Sequence, residues 1–150
     1  MQALTGRFEH ALDEKGRVFA PARYRDQLNA ENGRHFTLAM GLDRCLYLFL
    51  SSQWEHYVNR LEQRLEAAGS TPQAKREFMA EVYSTAADAI LDAEGRILIP
   101  QALRDYAGLR KDVVIRGAGL RAEIWDASAL AKRKKASRQR VERIRATLDL

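Results

Sequence analysis

A chain of 150 residues with 46% hydrophobic and 30% charged residues is long enough for one compact domain, or for two very small units sharing a core, and too short for a multidomain enzyme. No apolar run approaches the roughly 20 residues that span a bilayer, and Met1 to Arg7 lacks the apolar stretch of a signal peptide, so a soluble, unexported protein is expected. Cys45 is the single cysteine, which excludes an intramolecular disulfide framework and a multi-thiolate zinc site, and fits a reducing cytoplasm.

The net charge of +5 is unevenly spread. Eight cations (Lys132, Arg133, Lys134, Lys135, Arg138, Arg140, Arg143, Arg145) and two acids (Glu142, Asp149) give residues 132 to 150 a charge of +6, leaving −1 for the rest. The chain therefore has a basic tail on a near-neutral body, and the body must meet any polyanion locally.

In chain order, the first informative segment is Leu12-Asp13-Glu14-Lys15-Gly16-Arg17-Val18-Phe19-Ala20-Pro21, which returns 79 residues later as Leu91-Asp92-Ala93-Glu94-Gly95-Arg96-Ile97-Leu98-Ile99-Pro100. Seven of the seventeen aligned positions from 12 to 28 and 91 to 107 are identical, including Arg25/Arg104 and Asp26/Asp105, where chance gives about one. The chain is internally duplicated. In each copy Asp opens a tight turn, Gly closes it, and a β-rich run follows, the pattern of a hairpin tip. Pro21 and Pro100 then end the strand and start short helices, Ala22 to Leu28 and Gln101 to Tyr106. Second hairpins follow: Phe36 to Met40 with Cys45 to Leu50, and Val113 to Arg116 with Arg121 to Trp125.

Between the copies, Ser52-Gln53-Trp54-Glu55 reads as a capping box opening a helix to about Ala68 with a Trp54, Val58, Leu61, Leu65 stripe. Thr71-Pro72 starts a second helix to about Ala86, with Phe78, Met79, Val82 and Tyr83 on one side. A last helix begins at Asp126 or Ser128 and carries the basic cluster. The organisation is a first repeat (6–52), a helical hairpin (53–84), a second repeat (85–131) and a basic tail (132–150). A copy of about 45 residues cannot bury enough apolar surface alone, so the two are expected to interleave into one β-rich, barrel-like α+β fold with pseudo-two-fold symmetry, both tips near one end.

Catalysis finds little support. His10, His35 and His56 are scattered, no nucleophile elbow, phosphate loop, dinucleotide fingerprint or zinc-binding spacing is present, and no cofactor or metal is implied. Cys45 reads as packing, and Gly117-Ala118-Gly119 as a hairpin turn. The tips are better candidates: an arginine leaving a glycine turn can reach a phosphate or a guanine edge. Alternatively Asp13 and Asp92 only close the turns, and Arg17 and Arg96 pair with carboxylates such as Glu9 and Asp88. The first tip, with Lys15 where the second has Glu94, is the better anion reader. The tail is either an electrostatic footprint on nucleic acid or a solvated helix end.

The duplicated Leu-Asp-x-x-Gly-Arg unit, Pro21-Ala22-Arg23-Tyr24-Arg25-Asp26, Gly41 to Leu48, Gly95 to Pro100 and Glu123-Ile124-Trp125-Asp126 strongly resemble the MraZ family of bacterial transcriptional regulators. The match runs from about Gly6 to Asp126, with the tail after about Ala131 outside it. The resemblance implies two AbrB-like swapped-hairpin units forming one pseudo-dimeric β-barrel. It implies ring-like homo-oligomers in the cytoplasm and nucleoid, and repression at short direct repeats upstream of the division and cell-wall gene cluster that includes the protein's own gene. Promoter DNA is the expected partner, contacted by Lys15 and Arg17, with Arg23 in the following segment and, more weakly, Arg96. An AbrB-like antitoxin, or an oligomeric interaction protein that binds no nucleic acid, remain alternatives.

Overall fold

The computed structural model describes residues 2–150. Copy one supplies β1 (Arg7–Ala11), β2 (Arg17–Phe19), α1 (Ala22–Ala30), β3 (His35–Met40), a 3-10 turn at Leu42–Arg44 and β4 (Leu46–Phe49). The inserted helices are α2 (Ser51–Ala67) and α3 (Pro72–Thr85). Copy two supplies β5 (Ala87–Ile90), β6 (Arg96–Leu98), α4 (Gln101–Ala107), β7 (Asp112–Gly117) and β8 (Ala122–Asp126), and α5 (Ala127–Thr147) ends the chain.

The two copies exchange their first strands. β1 pairs antiparallel with β7 of the second copy, Arg7 opposite Arg116 through Ala11 opposite Asp112, while β5 pairs with β3 of the first, His35 opposite Ile90. β4 and β8 meet in the middle, so the six-stranded sheet runs β1-β7-β8-β4-β3-β5, an order unchanged when the copies are interchanged. β2 and β6 pair only with each other, Val18 opposite Ile97.

A single closed barrel was the sequence expectation, and it is not formed. The six-stranded sheet has two free edges, β1 and β5, and the three-residue strands β2 and β6 stand apart as a separate ribbon. The tight turns leading into β2 and β6 divert the chain across the pseudo-axis before a ladder with β1 or β5 can form. The fold is α+β, with an open antiparallel sheet and five helices.

Side chains alternate across the central strands, as the period of two requires. Leu38, Leu46, Leu48, Val113, Ile115 and Ile124 enter a core shared by both copies, joined by Val18, Tyr24 and Leu28 from one and Ile97, Ile99 and Leu103 from the other. Ala39, Tyr47, Phe49, Val114 and Trp125 enter a second cluster on the opposite face, covered by Trp54 and Tyr57 of α2 and Leu130 of α5. Cys45 belongs to this cluster; its thiol donates to the Leu42 carbonyl at 3.2 Å, and burial pushes its pKa up to about 12, as packing requires and a nucleophile would not tolerate.

The helices depart from expectation in two places. The N-cap of α2 is Leu50, whose N–H donates to Gln53 Oε1 at 3.0 Å, while the Ser52 amide and hydroxyl donate to the Glu31 carboxylate at 3.1 and 2.7 Å. A tertiary partner beyond α1 thus takes the serine from its local capping role. On α3 only Met79 is buried, and Phe78 and Tyr83 remain about half exposed, because the helix meets the body along one narrow line. α5 opens with the Asp126 carboxylate accepting from the Ala129 N–H, packs through Leu130, and then projects into solvent with its basic residues exposed.

Of the predicted turn Gly117-Ala118-Gly119, Gly117 instead ends β7 opposite Ala122 and only Ala118 and Gly119 lie in the turn; a Cβ on Gly117 would strike the Leu4 and Thr5 backbone of the N-terminal segment, which bridges to Gly119.

Candidate nucleic-acid interface

Each tip is built by its aspartate. Asp13 Oδ1 accepts from the N–H groups of Lys15 (3.0 Å) and Arg17 (2.8 Å), and its backbone closes the turn with Gly16 N–H to Asp13 O at 3.0 Å. Asp92 repeats this with Glu94 (3.0 Å), Arg96 (2.8 Å) and Gly95 (3.1 Å). Gly16 and Gly95 take φ of +85° and +86°, and each lies beneath an arginine of the other copy, Arg104 over Gly16 and Arg25 over Gly95. The backbone interlocks the same way: Ile99 N–H donates to Gly16 O at 2.9 Å and Ala20 N–H to Gly95 O at 3.0 Å. These contacts explain the identity at positions 25 and 104. Gly16→Ala is expected to destabilise the fold by about 1–3 kcal/mol through positive φ and collision with Arg104, read as a lower urea midpoint at unchanged slope.

Both arginines fold back onto their own turns. Arg17 Nε donates to Asp13 Oδ2 at 2.6 Å and Arg96 Nε to Asp92 Oδ2 at 2.8 Å, the i,i+4 partners, whereas Glu9 pairs with Arg7 and Asp88 faces His35. The expected alternative partners Glu9 and Asp88 are thus replaced by the turn aspartates, which the Asp-x-x-x-Arg spacing could have indicated. The two arginines are not equivalent. Arg17 is bonded through Nε, with no partner for its terminal nitrogens among the described residues; Arg96 also meets Glu94 Oε2 at 3.2 Å and lies 3.9 Å from Asp13 Oδ2. Their side chains are 33% and 23% exposed.

The Arg96 to Asp13 approach also places the tips side by side. The β2–β6 register sets Arg17 opposite Leu98 and Phe19 opposite Arg96. Val18 and Ile97 point into the core, so Arg17, Phe19, Arg96 and Leu98 share the outward face of the ribbon, with Phe19 46% and Leu98 51% exposed. Sequence reading missed Phe19 and Leu98; the alternation of the run around buried Val18 and Ile97 was the available signal. Lys15 is exposed beside this face. Arg23 is not drawn to it: on α1 its Nη1 donates to Thr5 Oγ1 at 2.8 Å, tethering the N-terminal segment.

The Arg17 and Arg96 backbone N–H groups, with the guanidinium bonds, hold the Asp13 and Asp92 carboxyls below the ordinary value of 3.8. A carboxyl whose folded pKa is depressed stabilises the fold above its unfolded pKa and loses that contribution as pH falls through the folded one. Acid unfolding below about pH 4 is therefore expected to be less steep in Asp13→Asn, which keeps the turn acceptor but does not titrate, as read from urea midpoints against pH.

Among the described residues no three His, Cys, Asp or Glu side chains approach closely enough to hold a metal ion, and no helix is long and apolar enough to cross a membrane.

Comparison with known proteins supplies the context for this geometry. The family model described as "MraZ protein, putative antitoxin-like" matches residues 3–77 and 82–144, so the likeness extends well into the tail rather than stopping near Ala131. "Transcriptional regulator MraZ" of Heliobacterium modesticaldum is 42% identical over 127 residues, covering 85% of this chain and 83% of its own. The protein of the same name from Acetivibrio thermocellus is 42% identical over 123 residues (82% and 80%), and that from Limosilactobacillus reuteri 43% over 124 (83% and 82%).

Proposed function

The chain belongs to the MraZ family, a family of transcriptional regulators and not of enzymes, and from that premise we propose that it is a sequence-specific, promoter-binding repressor. Its operator is a set of short direct repeats upstream of the division and cell-wall gene cluster that includes its own gene, bound by a ring-like homo-oligomer in the nucleoid.

The observation that carries this reading is the outward face of the β2–β6 ribbon. The major groove admits a two-stranded β-ribbon, arginine forks match the guanine edge, and exposed apolar side chains suit the thymine methyl. Arg17 and Lys15 are the base and phosphate contacts, Phe19 and Leu98 the apolar ones. Arg96, already answered by Asp92 and Glu94, contributes less. Arg23 acts at the margin, through its hold on the N-terminal segment.

One ribbon offers few contacts, and the near-neutral body adds little attraction. An oligomer that sets several ribbons at fixed spacing makes the second and later contacts intramolecular, which raises avidity by about 10²–10⁴ without any new contact. Regular repeats in the operator are the DNA counterpart of that spacing.

Footprinting the region upstream of the protein's own gene tests the reading. Protection of regularly spaced short repeats, reduced by added salt, is the expected result. Equal protection of any DNA, or none at low salt, would overturn it.

A further inference from the structure

Away from the ribbon, on the other side of the sheet, α2 presents His56, Tyr57, Arg60 and Arg64 on one face at helical spacing. With Phe49 at the end of β4 and Arg121 from the turn before β8, these residues line a pocket of about 150 Å³. Three guanidinium groups border it and no carboxylate does.

The other half-buried arginines are met in different ways: Arg17, Arg96 and Arg116 by a carboxylate at 2.6, 2.8 and 2.8 Å, Arg104 by the Ile99 carbonyl at 2.9 Å, while Arg25 Nε is buried without an acceptor. Arg121 Nε is buried with no acceptor, and so is His56 Nε2, although Arg121 is held in place by its guanidinium stacking 4.1 Å from the Tyr47 ring centre. Burial pushes the Tyr57 hydroxyl pKa up, with Tyr47 adding and Arg121 and Arg64 opposing. A buried Arg121 Nε–H without a partner and like charges gathered around one cavity both cost free energy, and a bound anion relieves both.

We propose that this pocket binds a small phosphorylated solute, its phosphate group taken by Arg60, Arg64 and Arg121 and its less polar part laid against Tyr57 and Phe49. The charge selects phosphate over carboxylate. A phosphate monoester carries about −1.5 to −2 and three acceptor oxygens, enough for three guanidinium forks, where a single carboxylate leaves cations unanswered. The site is independent of the ribbon, and its failure leaves the promoter-binding reading untouched.

Titration of the full chain with inorganic pyrophosphate, followed by calorimetry and by Trp54 fluorescence, tests the proposal. Trp54 is a local reporter, its ring centre 5.4 Å from that of Phe49 and 5.9 Å from that of Tyr57. Saturable binding is expected, weakened about tenfold by Arg64→Gln and further by Arg121→Gln, with acetate binding far more weakly. Arg64 is exposed, so its variant keeps the fold even if loss of the Arg121 stack does not. No saturation up to about 10 mM pyrophosphate, or full affinity in the Arg60→Gln/Arg64→Gln pair, would overturn it. So would disassembly of the oligomer in that pair with no pyrophosphate effect on the parent, which would assign the cations to carboxylates of a second copy. Weakened promoter binding without pyrophosphate binding would assign them to the DNA backbone and equally end the proposal.

Discussion

Arg17→Ala is expected to abolish specific operator binding while assembly proceeds as before. The side chain leaves a turn already fixed by backbone hydrogen bonds to Asp13, so truncating it removes a contact and leaves the ribbon in place. A bidentate arginine contact to a base discriminates by about 1–3 kcal/mol, and in an oligomer the loss recurs at each engaged subunit. Two engaged ribbons therefore lose on the order of a hundredfold or more, enough to bring the operator level with random DNA. Gel shifts against operator and scrambled fragments, with light scattering for assembly, give the measurement. An unchanged operator midpoint would remove the ribbon from the interface. Arg96→Ala should fall well short of this, since Asp92, Glu94 and Asp13 already surround that cation.

The bond between Arg17 and Asp13 bears on how the proposed contact would be made. Donation from Nε fixes the plane of the guanidinium and leaves the two terminal nitrogens without a partner among the described residues, the pair that a guanine edge or a phosphate needs. Holding the side chain in one geometry beforehand lowers the entropy lost on binding. The aspartate also subtracts charge from the site, so the proposed contact of a single ribbon is weak, in line with the proposed need for an oligomer.

Deleting residues 132–150 carries the second large expected effect, of a different kind. The tail holds eight cations and two acids on a helix exposed beyond Leu130, and apart from Arg133, bound to Asp43 at 3.0 Å, its cations have no carboxylate partner among the described residues. If four of them meet phosphates, the salt slope falls by about 3.6, and affinity at about 50 mM salt loses an extra factor on the order of a hundred relative to about 200 mM. Operator and random DNA should weaken alike, because phosphate contacts carry no sequence. Loss confined to the operator would contradict this role, and an unchanged slope would make the tail a solvated helix only. Together the two variants separate reading from holding: one removes discrimination, the other removes salt-sensitive grip.

The local parts of this molecule were legible in its residues because they depend on near neighbours. The Asp-x-x-Gly-Arg turns, the prolines that end β2 and β6, the turn through Ala118 and Gly119, the helical hairpin and the start of α5 are all decided within a few positions of the chain. The duplication itself, and from it the need for a shared core, follow from counting identities. That the two tips differ in charge needed only the comparison of Lys15 with Glu94.

What depends on residues far apart in the chain was decided by packing. Ser52 looks like a cap, yet Glu31, 21 positions earlier, takes its hydroxyl and leaves the cap to Leu50 and Gln53. Barrel closure seemed to follow from interleaving, but the ladder of β2 with β6 across the pseudo-axis satisfies those strands and leaves β1 and β5 as open edges. The outward row of Arg17, Phe19, Arg96 and Leu98 exists only because that ladder joins two segments 79 residues apart. A sequence specifies turns through dihedral preferences and short hydrogen bonds, whereas strand partners are chosen by which surfaces can be buried together, and that choice is made by the whole chain at once.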